Sequence, residues 1–268
     1  MKNYYLVFVL SVLLSVSCTS NKKKENKGQK KQKQTEKVAK SGAQPEIEPI
    51  EHGTFFMRWN NKNFYIDPIG GKEAFEQFPD PDVVMITHIH PDHFDVETLA
   101  QLGTDYKIIA PASVAEKLPE SHKKITTVMK NGQKINISNF RVAAIPMYNT
   151  TKSRKKYHPE GRGNGYTIKL DNYSLYISGD TEFTPEMEKL KGIDQAFLCM
   201  NLPYTMNYEQ AAKAVLAFQP EEVIPYHYRG RKNDAYYYED VEAFKDIVTS
   251  KSKDVNVKLM EWYPNKDS

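Results

Sequence analysis

From about residue 50 onward, short runs rich in β-branched and aromatic residues recur, and each stops at a polar or turn-forming pair. Residues 64–66 end at Asp67-Pro68, residues 83–87 at His88, and residues 107–110 at Pro111. Further on, residues 140–145 end at Pro146, residues 173–178 at Gly179-Asp180, and residues 222–226 at His227. Between them lie patterns of helical period. Asp95 is placed to cap a helix over 96–102 that stops at Gly103. Thr184 precedes Pro185 at a first helical position, with Glu186 and Glu188 in the first turn to favour the helix dipole. Asn207 opens a helix over 208–218 that Gln219-Pro220 stops, and a last helix over 240–250 leads into a closing strand over 255–262. Strands and helices interleaved in this way predict a layered α/β architecture in which helices cover sheets. In such folds functional groups gather on the loops that follow the strands.

The pattern fails at the N-terminus, and that changes the domain picture. Residues 1–18 read as an export signal, with Lys2 before an apolar stretch and the small residues Ser15-Val16-Ser17 before Cys18. The apolar run is too short for a transmembrane helix. Small residues directly before a cysteine resemble a bacterial lipoprotein cleavage site, although Ser15 stands where a large aliphatic residue is more usual. The resemblance implies an exported protein of the bacterial envelope, anchored to a membrane by acylated Cys18, with plain secretion as the alternative. Residues 19–48 contain no aromatic residue and read as a solvated tether. Residues 49–268 form the body, with no composition break to mark a second domain.

Charge then excludes one class of partner. The chain carries 37 basic and 34 acidic residues, but the tether and Lys2 account for ten of the lysines and only four of the glutamates. The body is left slightly acidic, so no nucleic-acid partner is expected. With Cys18 acylated, Cys199 would be the only remaining thiol; it sits in the apolar run 196–200 and reads as a small core residue.

The chemistry is concentrated in Thr87-His88-Ile89-His90-Pro91-Asp92-His93, directly after a buried strand. His88 and His90 are two apart in an extended segment, so both imidazoles project to one side. Pro91 then turns the chain and lets Asp92 and His93 swing toward a second point nearby. Crowded imidazoles and carboxylates must be paired or metal-bound to be tolerated. Without a neighbouring thiolate the set suits zinc best and also admits iron or manganese.

These residues resemble the signature of the metallo-β-lactamase superfamily. The resemblance runs from about Glu51 to Trp262 and implies a four-layer αβ/βα sandwich with one or two metals at the rim of its sheets. It implies that His88, His90, Asp92, His93, Asp180 and His227 are ligands of two divalent ions, with Asp180 bridging and His227 supplying the last imidazole. Asp67 would stand behind the metals to orient a ligand imidazole, with His52 before the first strand in a similar supporting place. One ligand of the family is displaced: a His normally follows the strand that here ends Met147-Tyr148, and this chain has Asn149. His158, in the glycine-containing loop that follows, is the candidate to fold back and complete the first metal or contact substrate, with Asn149 itself the other. His122, in a lysine-rich stretch, reads as merely exposed.

The implied activity is hydrolysis by metal-activated water, with Asp92 and Asp180 holding and orienting the water. The substrate would be a small ester, lactone or phosphodiester, and Lys152, Arg154, Lys155, Lys156 and Arg162 around His158 offer a cluster to attract an anionic one. Nucleic-acid processing would need an inserted domain for which the body has no room, and di-iron redox chemistry would need carboxylates at His90 or His93. A lipoprotein that binds metal or ligand without turnover is the remaining alternative, kept open by Asn149.

Overall fold

The computed structural model describes Met1, residues 44–233 and residues 235–264. The rest of the expected signal, Cys18 and the tether as far as residue 43 lie outside the described residues. The first strand already begins at Glu46, inside the expected tether, because Ile47 is buried when residues 46–51 pair with the following strand.

Six strands form a first sheet in the order of the sequence. They are β1 (Glu46–Glu51), β2 (Thr54–Trp59), β3 (Lys62–Ile66), β4 (Val83–Met85), β5 (Lys107–Ala110) and β6 (Thr126–Val128). The first three are antiparallel neighbours, and β3 to β6 run parallel. The connections carry α1 (Val96–Leu102), α2 (Ala112–Ala115) and α3 (Glu120–Lys123).

The second sheet contains β7 (Lys134–Ile137), β8 (Phe140–Met147), β9 (Gly163–Leu170), β10 (Tyr173–Ile177), β11 (Gln195–Cys199), β12 (Glu222–Tyr226) and β15 (Asn256–Val257). A separate hairpin of β13 (Arg229–Lys232) and β14 (Ala235–Tyr238) precedes the last strand. Helices α4 (Pro185–Glu188), α5 (Tyr208–Phe218) and α6 (Val241–Lys251) belong to this half. Asp95, Thr184 and Asn207 cap their helices through side-chain acceptors, as their positions in the sequence predict, and Asp240, expected inside the last helix, caps it in the same way.

Successive residues of a strand face opposite ways, and this sorts the first sheet's apolar residues into two cores. Phe55, Met57, Phe64, Ile66, Met85 and Ile109 join the second sheet's residues in one cluster. Phe56, Tyr65, Val84, Ile86 and Ile108 join Leu99, Val114 and Leu118 in the other. Phe55 and Phe197 stack across the two sheets with ring centroids 4.6 Å apart. A sheet buried on both faces and helices outside both sheets produce the expected four-layer αβ/βα sandwich.

Two expectations are corrected. The closing strand is only two residues long: Lys258 N donates to Val223 O, and the next donor toward that edge falls at Pro225, which has no N–H. His122 is buried, its Nε2 3.1 Å from the carbonyl of Leu99 and its Nδ1 3.1 Å from Ser121 Oγ. A polar neighbourhood in sequence says nothing about the tertiary contact that covers an imidazole.

Candidate metal centre

Every candidate residue lies on a turn or a strand end along one rim. The β1–β2 turn carries His52, the end of β3 carries Asp67, and the end of β4 leads into residues 87–93. Asp180 follows β10 and His227 follows β12. His52, Asp67 and His227 all hold positive φ, at 59°, 45° and 49°. Non-glycine residues rarely adopt that region, and such strain gathers where surrounding structure enforces it at functional sites.

Asp67 is the anchor beneath the rim. Its Oδ1 accepts from Thr87 N at 2.6 Å, while Oδ2 accepts from Thr87 Oγ1 at 2.7 Å and lies 2.7 Å from His93 Nδ1. With Nδ1 turned to a carboxylate, His93 presents Nε2 to the site. His227 is oriented in the same way by Asn201, whose Nδ2 is 2.7 Å from His227 Nδ1. Tyr263 OH lies 2.5 Å from His52 Nδ1 and turns His52 Nε2 toward Asp92 Oδ2, 3.4 Å away. Gly53 is required beside them: a Cβ there would lie 2.9 Å from His93 Cε1 and 3.1 Å from His227 Cδ2.

Three sets of ligand atoms converge, each within 4.8 Å of one another: His88, His90 and His158; His52, Asp92 and His227; and His88, His93 and Asp180. Asp180 stands between the first two sets. Its Oδ2 is 3.3 Å from His158 Nε2, and its Oδ1 is 3.6 Å from both His93 Nε2 and His227 Nε2. Asp180 Oδ1 and His158 Nε2 are buried with no hydrogen-bond partner. Buried polar atoms without partners cost about 1–3 kcal/mol each, a penalty that a cation among them removes. The donor set therefore fits metal ions.

The electrostatics agree. Burial opposes charge on Asp180 and Asp92, yet the imidazoles of His227 and His93 hold both carboxylates well below the ordinary range. Burial, followed by the neighbouring imidazoles, lowers His52 to about 3 and His90 to about 4, so both are neutral as ligands must be. His93 is the exception. Burial lowers it, but the carboxylates of Asp180, Asp67 and Asp92 prevail and raise it to about 10. The three carboxylates thus favour positive charge at the point where they converge.

His158 reaches the centre because its loop is tied to the residue two beyond Asp180. Glu182 Oε2 accepts from Thr150 N at 2.7 Å, Thr150 Oγ1 at 2.9 Å and Thr151 N at 2.6 Å, and Oε1 accepts from Arg154 Nη1 at 2.5 Å. Asn149 stands behind His158, its Oδ1 buried without a hydrogen-bond partner. Its amide donates to the carbonyls of Arg154 and Tyr204 at 3.0 and 2.7 Å, and it lies 3.2 Å behind His158 Nδ1. The residue in the expected ligand position thus supports the loop that brings in the replacement. His52, expected in a supporting place, brings its Nε2 into the same cluster as Asp92 and His227. Asn201, Tyr263 and Glu182 went unnoticed in the sequence, where isolated polar residues carry no pattern. Cys199 is buried beneath the rim, and burial pushes its thiol up to about 12, in keeping with a core role.

Comparison with known proteins agrees with this geometry. The profile of the family described as "Beta-lactamase superfamily domain" matches residues 46–227. A UPF0173 metal-dependent hydrolase of Pyrococcus furiosus is 32% identical over 219 residues, covering 78% of this chain and 94% of the relative. A crystal structure from Parabacteroides distasonis, described as that of a metal-dependent hydrolase, superposes with a TM-score of 0.67 at 38% identity, over 81% of this chain and 93% of that one. A metallo hydrolase of Ignicoccus hospitalis shares the fold, with a TM-score of 0.66 at 23% identity over 81% of this chain and 95% of that one.

These relatives overturn the expected localisation. The UPF0173 hydrolases of Pyrococcus and Nanoarchaeum are archaeal, and they match the body over 78–79% of this chain, so an exported, lipid-anchored bacterial envelope protein is not supported. No helix among the described residues is long and apolar enough to cross a membrane. A binding lipoprotein without turnover finds no support either, since the relatives are described as hydrolases. The order of His88, His90, Asp92, His93, Asp180 and His227, the sandwich that gathers them and the matched profile make this chain a member of the metallo-β-lactamase superfamily, and a metal-dependent hydrolase.

Proposed function

We propose that the chain holds two divalent ions, zinc by preference, and hydrolyses a small ester, lactone or phosphodiester. Six imidazoles and two carboxylates without a thiolate form the kind of donor set that zinc favours, with manganese or iron as lesser fits. The observation that carries the reading is the pair of buried, unpartnered atoms, Asp180 Oδ1 and His158 Nε2, between two converging sets of ligands.

His88, His90 and His158 would hold the first ion; Asp92 and His227, with His93 and His52 beside them, would hold the second. Ions bound there supply Lewis acidity and lower the pKa of a water to roughly 7. The protein supplies the rest. Asp180, reaching both sets, fixes their spacing. Asp92 is the carboxylate open to the cavity, its side chain 43% exposed, and is placed to orient a water and accept its proton. Asp67, Asn201 and Tyr263 keep the imidazoles facing inward, so that no reorganisation is needed as charge develops.

Metal analysis of the purified chain, together with a panel of phosphodiester, lactone and simple ester substrates, tests the reading. Two equivalents of metal and turnover of at least one class are expected, with His88→Ala and Asp92→Ala losing both. A metal-free, inactive protein, or variants that keep metal and activity, would defeat it.

A further inference from the structure

The cavity above the ligand sets encloses about 390 Å³, the size of a small-molecule site. Beyond the metal centre, its walls come from Pro91 between two candidate ligands, Tyr157 beside His158, Asn201 and Tyr204 before α5, and the β13–β14 hairpin. Asn201 is already engaged: its Nδ2 lies 2.7 Å from His227 Nδ1, and its Oδ1 accepts from Thr205 Oγ1. The expected cationic loop adds no charge here. Lys152, Arg154, Lys155, Lys156 and Arg162 are absent from the walls, and Arg154 is bound by Glu182. Next to the ligand sets the surface is therefore flat and mostly apolar, made of two tyrosine rings and the ring of Pro91.

Tyr157 and Tyr204 come from distant segments and meet edge to face, with ring centroids 5.2 Å apart and planes at 84°. Asn149 ties those segments together. Its backbone N donates to His158 O at 2.8 Å, and its amide donates to Tyr204 O at 2.7 Å. The segment of Tyr204 is held a second time at Leu202 O, which lies so close to Gly230 that no Cβ would fit there and which also accepts from Tyr237 OH. Both rings are half-buried. They stand on backbone fixed beside His158, which is in a ligand set, and Asn201, which orients a ligand imidazole. A ligand ring therefore meets a pair that is already in place, without the entropy cost of ordering a loop.

We propose that Tyr157 and Tyr204 form the recognition site for a planar aromatic group that the substrate carries next to the bond to be cleaved. Aromatic rings attract one another beyond the area they bury, through a negative face and a positive edge, and an edge-to-face pair offers both to a third ring. Sequence fixes which part of the substrate meets them. Tyr157 precedes His158, whose Nε2 is 3.3 Å from Asp180 Oδ2, so the ring lies beside the ligand sets. The substrate class narrows to aryl esters, lactones bearing an aromatic ring, or aryl phosphodiesters. This inference rests on the reading of those sets as metal-holding.

Binding of hydroxamates to the zinc-loaded full chain, followed by calorimetry, separates the two ideas because hydroxamates grip metal directly. Benzohydroxamate carries a flat ring, cyclohexanecarbohydroxamate a puckered ring of similar size, and acetohydroxamate no ring. Benzohydroxamate is expected to bind about tenfold more tightly than cyclohexanecarbohydroxamate, the scale of contact with two aromatic rings. Tyr157→Leu and Tyr204→Leu each narrow that margin, whereas Tyr157→Phe and Tyr204→Phe keep it, because the ring and not the hydroxyl makes the contact. If the unaltered chain binds the flat and puckered rings equally, or if neither leucine variant narrows the margin, the aromatic site is refuted while the metal reading stands. If a leucine variant loses acetohydroxamate as well, that tyrosine supports the metal centre rather than the ligand, and its assignment falls. If no hydroxamate binds the zinc-treated chain, the metal reading fails and the aromatic site with it.

Discussion

The two outer ligand sets face each other across Asp180 but are built on different principles. His88, His90 and His158 are all imidazoles, and one of them arrives on a loop stitched to the rim by Glu182 and Arg154. His52, Asp92 and His227 include a carboxylate open to the cavity, and their imidazoles are aimed by Tyr263 and Asn201 from the strand ends themselves. The first set thus depends on a loop held by side-chain hydrogen bonds, whereas the second depends on turns held at positive φ by the sheets.

The largest effect is expected where the comparison is erased. Asp180→Ala removes the only carboxylate that reaches both sets, and activity should fall on the order of 10³-fold, the scale of losing a preorganised electrostatic group. Metal content should drop at both sites; an unchanged metal count would mean that the sets are independent of Asp180. Asp67→Asn comes next, because it weakens the hold on Thr87 and His93 together. Metal affinity should fall roughly 10- to 100-fold, as is usual for groups that orient a ligand, read by competition with a chelator.

Glu182→Gln sharpens the contrast. It weakens acceptance from Thr150, Thr151 and Arg154, costs about 1–3 kcal/mol of stability, and should release one equivalent of metal while the second remains. Simultaneous loss of both equivalents would show that the loop supports the whole rim. Thermal unfolding with metal counting reads both effects.

The smallest effect is on pH dependence in the ion-free protein. Burial holds His52 near 3 and His90 near 4, against an unfolded value of about 6.5. The unfolded chain therefore takes up protons first, and stability is lost as pH falls below 6.5 toward those values. His93, raised to about 10, works in the opposite sense: its contribution is full below 6.5 and is lost as pH rises through 10. Melting temperatures from pH 5 to 9.5 should pass through a maximum near the middle, and metal loading should flatten the alkaline side. A profile that rises steadily toward pH 9.5 without metal would contradict the proton on His93.

Much of the site was legible because residues 88–93 compress four ligand-type side chains into six positions, and such crowding has few explanations other than metal. Asp180 and His227 were legible only through the family resemblance that residues 88–93 carry, since each by itself reads as an ordinary strand-end residue. The hairpin at 229–238 was not, because Arg229-Gly230-Arg231 reads as an ordinary polar segment until Gly230 is seen against Leu202 O. Asn201, Tyr263 and Glu182 were hidden for the same reason: a hydrogen bond to a distant imidazole or loop leaves no local period.

The sequence by itself determined the interleaved strands and helices, most of the helix caps and the crowding of ligand-type side chains at residues 88–93. These follow from local properties: side-chain period, capping chemistry and the cost of crowding polar groups. Only the tertiary structure decided that His158 and His52 come within reach of the other candidate ligand atoms, that Asn149 stands behind His158, and that His122 is buried. Each of those depends on where two distant segments meet, and such a meeting is set by packing across the sandwich rather than by any residue's neighbours in the chain.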